Sequence, residues 1–154
     1  MSTPFTDAAA STAPRRVDLL LAHYEESHRH PVNERIHFVA IPLIMLSLLG
    51  LLWAAHPWLA YALLAASMVY YARLSFVFLA TMALVSIAML AVVNAMGEHT
   101  LSISLAIFVT AWIAQFVGHR IEGKKPSFLE DLQYLWVGPI FVASKLFLKL
   151  GIRW

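Results

Sequence analysis

Long apolar runs fill most of the chain between residues 38 and 117, and they are apolar on every face of a helix. A helix that crosses a bilayer needs roughly 20 such residues. Four segments approach or reach this length and predict transmembrane helices, namely residues 38–55, 57–72, 74–96 and 100–117. The connections between them are short, which indicates an up-down bundle. The last of these helices is predicted to continue to Glu122.

Two weaker helical patterns flank the predicted spans. Residues 15–29 form an amphipathic pattern that ends before Pro31, and Asn33 is a suitable N-cap for the next helix. The apolar stripe of this pattern consists of Val17, Leu20, Leu21, Tyr24 and His28. A capping box at residues 127–130 predicts the start of another helix after the fourth span. The apolar run at residues 140–150 is either a fifth span or an interfacial or re-entrant helix, and we favour the second interpretation.

The composition agrees with a membrane protein. The 154 residues are 60% hydrophobic and only 13% charged, whereas soluble domains carry about 25% charged residues. We therefore predict an all-α integral membrane bundle with one domain, residues 15–154, after a disordered tail at residues 1–14. The absence of cysteine excludes thiolate chemistry. The net charge of +2 gives no indication of a nucleic-acid partner.

Lysine and arginine are distributed unevenly among the predicted loops. The linkers around His56 and Glu98 contain neither residue, while the N-terminal region and the loop after the fourth span are basic. Basic loops stay in the cytoplasm. This pattern predicts that both termini are cytoplasmic, and we expect the chain to lie in a bacterial inner membrane.

This orientation divides the histidines into two groups. His28, His37 and His119 fall at the cytoplasmic end of the bundle, and His56 and His99 fall at the opposite end. A buried imidazole needs a partner, and a metal ion would satisfy three converging rings. The alternative for any single histidine is an interfacial role, in which it bridges lipid headgroups and water.

The last predicted span carries polar residues along one face. Gln115, His119 and Glu122 share this face, and polar groups inside a membrane helix are usually functional. The helix dipole disfavours a carboxylate in the last turn by roughly 0.3–1 kcal/mol. We therefore expect a cationic partner for Glu122, whether a metal, Arg120 or Arg35. Ordinary hydrogen bonds between packed helices are the alternative.

Two motifs resemble a known family. The first is SHRHPVNERIH at residues 27–37, and the second is WIAQFVGH at residues 112–119, followed by EGKKP at residues 122–126. Together, in the pattern H-x-x-P-x-N-x-x-I-H with Q-F-V-G-H, they resemble the 2-hydroxy-fatty-acid dioxygenase family. The resemblance extends over residues 24–150. The fungal member of this family acts in the alpha-oxidation branch of phytosphingosine breakdown.

The resemblance implies a membrane enzyme that uses ferrous iron and dioxygen to shorten a 2-hydroxy fatty acid by one carbon. His28, His37 and His119 lie at the motif positions and inherit the role of iron ligands. In the fungal pattern a glutamate follows the last histidine by four residues, whereas here Glu122 follows by three. Glu122 is therefore expected either as a ligand or as a neighbour of the ligands.

The same hypothesis assigns supporting roles. Asn33 or Gln115 would orient a ligating imidazole, and Arg120, Lys124 or Lys125 would attract the substrate carboxylate. Three alternatives stay open at this point. They are a non-catalytic scaffold or transporter subunit, a haem protein, and another metal-dependent lipid enzyme. Hydroxylases and desaturases of the last kind usually carry H-x-x-H-H boxes, and this sequence has none.

Overall fold

The computed structural model describes residues 14–26, 28–123 and 134–154. These residues form six α-helices and no strand, which confirms the all-helical prediction. The helices are α1 Arg16–Glu25, α2 Pro31–Ala55, α3 Pro57–Ala72, α4 Phe76–Ala95, α5 Thr100–Glu122 and α6 Val137–Leu150. A 3₁₀ turn, Gly97–His99, joins α4 to α5. The predicted capping box and nearly all of the predicted tail lie outside the described residues.

Three helical segments are long and apolar enough to cross a membrane. They are Pro31–Ala55, Phe76–Ala95 and Gly97–Glu122, with 25, 20 and 26 residues. Helix α3 is equally apolar but has only 16 residues, so a fourth span is not established by its length. Large apolar side chains cover the outside of the bundle, as Phe76 (79% exposed) and Leu84 (69% exposed) illustrate. Soluble proteins rarely expose large contiguous apolar patches, so this surface suits contact with lipid.

Helices α2 and α5 form the most extensive helix pair. They run antiparallel, because Gly50 near the end of α2 contacts Ser104 near the start of α5, while Asn33 and Gly118 meet at the other end. Helices α3 and α4 pack against each other, and both contact α2. Helix α6 packs against α1, α2 and α4. All of the predicted site residues that the structure describes belong to α2, α5 and the segment that precedes α2.

Helix α6 is largely buried against α1, α2 and α4. Ile140 and Phe141 are fully or almost fully buried. Lys145 bridges α6 to the neighbouring helices, since its Nζ lies 2.5 Å from Glu25 and 3.5 Å from Glu34. Burial alone lowers the pKa of Lys145, but the two carboxylates raise it above its usual value. The ammonium therefore stays charged and holds α6 against α1 and α2.

The boundary between the first two helices differs from the prediction. Helix α1 ends at Glu25, so His28 lies in the link between helices and not on the amphipathic helix itself. Helix α2 begins at Pro31, and its N-cap is His30, whose ring nitrogen accepts a backbone N–H. The prediction of Asn33 as N-cap was wrong. Proline fits the first helical position because the N–H that it lacks has no helical partner there, and Asn33 therefore lies inside the first turn.

The close approach of α2 and α5 generates a prediction. A Cβ atom at Gly50 would lie 2.1 Å from Ser104 Oγ and 3.1 Å from its Cβ, and Ser104 is fully buried. We expect Gly50→Ala to lower the free energy of unfolding by about 1–3 kcal/mol, as overpacked sites do. Thermal unfolding in detergent measures this change. Adding Ser104→Ala to Gly50→Ala should recover part of the loss, and a Gly50→Ala protein as stable as the wild type would contradict the packing described.

Candidate metal centre

Three buried histidine rings meet at one end of the bundle. His28 comes from the link before α2, His37 from the second turn of α2, and His119 from the last turn of α5. Their exposed fractions are 4%, 0% and 6%. The ring centroid of His37 lies 4.3 Å from that of His28 and 4.8 Å from that of His119. One potential ligand nitrogen on each ring lies within 4.8 Å of the other two.

Backbone carbonyls fix the orientation of two of these rings. His28 Nδ1 lies 2.8 Å from the carbonyl oxygen of Tyr24, and His37 Nδ1 lies 3.0 Å from that of Asn33. A carbonyl oxygen can only accept, so in the neutral ring Nδ1 carries the proton and Nε2 carries the lone pair. Metal-binding histidines almost always donate their other N–H in this way. The two rings therefore have the tautomer that ligation through Nε2 requires.

Aromatic side chains cover the histidines on the side of α1 and α6. The ring of Tyr24 stacks on His28 with a centroid separation of 4.1 Å and an interplanar angle of 11°. Phe141 of α6 lies 4.9 Å from Tyr24 and 5.9 Å from His28. From the sequence pattern, Tyr24 is expected only on an apolar stripe, and Phe141 is one apolar residue among many. Nothing in the local sequence indicates these contacts, since they depend on how α6 packs against α1.

Glu122 joins the end of α5 to the segment that carries His28. Its carboxylate accepts hydrogen bonds from the backbone N–H groups of Arg29 at 3.0 Å and His30 at 2.8 Å. It also accepts one from the side-chain amide of Asn33 at 3.1 Å. We expected a cation opposite Glu122, but the partners that the structure shows are N–H groups. These donors offset the unfavourable position of a carboxylate at a helix C-terminus.

The two family motifs contact each other beside the histidines. A Cβ atom at Gly118 would lie 2.3 Å from the side-chain oxygen of Asn33, so only glycine lets the buried Asn33 pack against α5. This contact lies next to His119 in the chain and one helical turn before His37. Gln115 is also buried, one turn before His119 on the same helix. Its role in orienting a ligand stays a prediction.

The donor set fits a divalent transition metal. Imidazole nitrogens bind such ions at about 2.0–2.1 Å, so two ligands of one ion lie about 3–4 Å apart. The three rings are within a small adjustment of that spacing. Among the described residues the group contains no carboxylate, and three neutral nitrogen donors suit iron, zinc or copper. Three ligands also leave coordination positions for a substrate.

The remaining candidate residues lie apart from this cluster. His56 and His99 are exposed at the far end of the bundle, and His23 and His30 are exposed beside the cluster without joining it. Arg120 is exposed as well. Lys124 and Lys125, the other two residues predicted to attract a carboxylate, lie outside the described part of the chain.

The fold and the site together define a class of protein. It is an all-helical bundle with membrane-length helices and a buried cluster of three histidines. The chain belongs to the family described as 2-hydroxy-palmitic acid dioxygenase Mpo1-like, whose model matches residues 15–150. This confirms the resemblance predicted from the two motifs. The chain is also 28% identical over 138 residues to the 2-hydroxy-palmitic acid dioxygenase MPO1 of Saccharomyces cerevisiae. That alignment covers 85% of this chain and 79% of the yeast protein. No solved structure matches the chain.

The Glu122 contacts generate a prediction for the site. In Glu122→Gln, one carboxylate oxygen becomes an NH₂ group that faces N–H donors and cannot accept from them. We expect the free energy of unfolding to fall by about 1–3 kcal/mol, the cost of leaving polar groups without partners. Thermal unfolding measures this change, with the exposed Glu98→Gln as the matched control. Equal stability of Glu122→Gln and the control would show that these hydrogen bonds contribute little.

Proposed function

We propose that this protein is an iron(II)-dependent dioxygenase that converts a 2-hydroxy fatty acid to the fatty acid one carbon shorter. The observation that carries the proposal is the buried cluster of His28, His37 and His119 in a chain of this family. The reaction balances as 2-hydroxy acid plus O₂ giving the shortened acid, CO₂ and water. The C1–C2 bond breaks, and the four electrons lost by carbon reduce dioxygen, so no other reductant is needed.

The three imidazoles are the proposed ligands, and bound iron supplies the redox chemistry that activation of dioxygen requires. The carbonyls of Tyr24 and Asn33 hold the Nδ1 protons of two rings, so that Nε2 carries the lone pair in each. Neutral ligands leave the charge of a divalent ion uncompensated, which favours an anionic substrate group. The carboxylate of a 2-hydroxy acid is such a group, and the neighbouring hydroxyl is a neutral second donor.

Arg120, Lys124 and Lys125 are the proposed attractors of the substrate carboxylate. They follow His119 at the end of the chain segment that carries the site, and their positive charge would raise the local concentration of an anionic lipid. Gln115 is proposed to orient His119 or the substrate, because it is buried one turn away on the same helix. These assignments make residues 15–154 a single catalytic domain.

We further propose four membrane spans, with α3 as the fourth and both termini in the cytoplasm of a bacterium. The support is the distribution of charge: Arg73 lies after α3, whereas the turns around His56 and Glu98 contain no lysine or arginine. Helix α6 is the proposed interfacial element, since it has 14 residues and carries Lys145 and Lys149. The histidine cluster would then lie at the cytoplasmic edge of the bilayer.

Single cysteines test this topology, because the natural chain contains none. With four spans, Glu98→Cys in intact cells should react with a membrane-impermeant maleimide, and Arg73→Cys should react only after lysis. If α3 did not cross, α4 would run in the opposite direction. Arg73→Cys would then be labelled from outside and Glu98→Cys protected, which would refute the fourth span.

The ligand assignment is tested with His37→Ala. We expect this variant to lose bound iron and to lose turnover of 2-hydroxypalmitate by more than the roughly 10–100-fold that removal of an outer partner costs. Metal analysis of the purified protein and product analysis under air and under argon measure both effects. The exposed His56→Ala serves as the matched control and should retain iron and activity.

The alternatives give different results in the same experiments. Full iron content and activity in His37→Ala would refute the ligand assignment. A wild-type protein without metal and without oxygen-dependent turnover would favour a scaffold or transporter subunit. A Soret band in the purified protein would identify haem, and two irons per chain would indicate another lipid oxygenase.

A further inference from the structure

An apolar cavity lies beside residues that neighbour the three histidines along the chain. Its wall includes Tyr24, which stacks on His28, and Ile41, which lies one turn beyond His37. Gln115, one turn before His119, and Trp112 form the wall on the α5 side. The lining of this cavity therefore includes residues about one turn from His28, His37 and His119 along the chain.

A second cavity continues deeper into the bundle. Met45 and Leu135 line both cavities, so the two are adjacent. It reaches Leu49 of α2 and Met89 of α4. The two cavities follow one another from the neighbourhood of the histidines toward the middle of the bundle, with Met45 in the lining of both.

The deeper cavity is lined mostly by apolar side chains, and the hydroxyls of two of its polar residues are engaged in hydrogen bonds. Its polar members include Ser67 and Tyr71, and both hydroxyls are hydrogen-bonded: Tyr71 donates to the carbonyl of Trp136, and Ser67 accepts from the indole N–H of Trp136. Ser86, a small buried residue of α4, leaves space on the opposite wall. A chain of methylene groups finds only apolar contacts along most of this path.

The depth matches a long acyl chain. Leu49 follows His37 by twelve residues of one helix, which corresponds to about 18 Å at 1.5 Å per residue. Half of a bilayer's hydrocarbon core, the space that one layer of lipid tails fills, is about 15 Å. A head group at the histidines would thus place the end of a long saturated tail near Leu49 and Met89.

We propose that these adjacent cavities hold the acyl tail of the substrate, and that Ser86 at the deep end determines the preferred chain length. The inference rests on the proposed function for the identity of the head group, but the cavity itself is independent of the chemistry. A larger side chain at Ser86 shortens the space available to the tail and leaves the histidines unchanged.

Turnover of a chain-length series tests the specificity. In Ser86→Phe, the ratio of 2-hydroxypalmitate to 2-hydroxydecanoate turnover should fall about tenfold or more, because each excluded methylene loses its apolar contacts. Ala88→Phe is the matched control, since Ala88 is exposed on the same helix. It should leave the ratio unchanged. Ser86→Leu provides a smaller change of the same sign should the phenylalanine variant fail to fold.

Binding to metal-free protein gives a readout that does not depend on turnover. Trp136 lines the deeper cavity, so a palmitic acid brominated in mid-chain should quench its fluorescence saturably. 2-Hydroxypalmitate should reverse this quenching, Trp136→Phe should abolish the component, and Ser86→Phe should weaken it. The measurement is made in nanodiscs of saturated phospholipid.

The two experiments separate the hypotheses. Saturable quenching at Trp136 without turnover of any 2-hydroxy acid would refute the proposed function and retain the acyl cavity. Turnover by the wild type, with an unchanged chain-length ratio in both Ser86 variants and no saturable quenching, would overturn the acyl cavity and retain the proposed function.

Discussion

The candidate site depends on the hydrogen bonds between Glu122 and the segment before α2. His28 lies outside any helix, so no helical hydrogen-bond ladder fixes its position. The backbone N–H groups of Arg29 and His30, which follow it directly, bind the carboxylate at the end of α5. The same helix end carries His119. The Glu122 side chain therefore sets the position of His28 relative to His119. Its hydrogen bond from Asn33 links both to α2, the helix that carries His37.

The packing of α2 against α5 keeps this arrangement in register. Small residues allow close approach at both ends of the pair, with Gly50 against Ser104 and Gly118 against Asn33. Two close contacts so far apart permit little sliding of one helix along the other, because interiors are tightly packed. His37 and His119 face each other as a consequence. The membrane-length helices thus serve the site as a rigid support as well as an apolar surface.

Sequence patterns predicted the helices and the three histidines, because both depend on residue type and spacing. The apolar runs gave the helices, and the motifs around His28, His37 and His119 placed the rings at one end. The helix boundary at Pro31 and the partners of Glu122 were not predicted. Backbone N–H groups are the main partners of Glu122, and every non-proline residue has one, so residue identity carries no signal for them.

The two ends of the path from the histidines to Met89 differ in their chemistry, and this difference fits an amphiphile. A divalent ion held by the neutral imidazoles, as proposed, would be a positive charge in a water-poor place, where an anionic group gains more than it would in water. The cavity beyond it offers apolar contacts alone along most of its length, which a hydrocarbon tail fills without any polar cost. A water-soluble hydroxy acid would satisfy only the first condition and leave the cavity empty. A 2-hydroxy fatty acid satisfies both, so the proposed site and cavity together would select for a lipid.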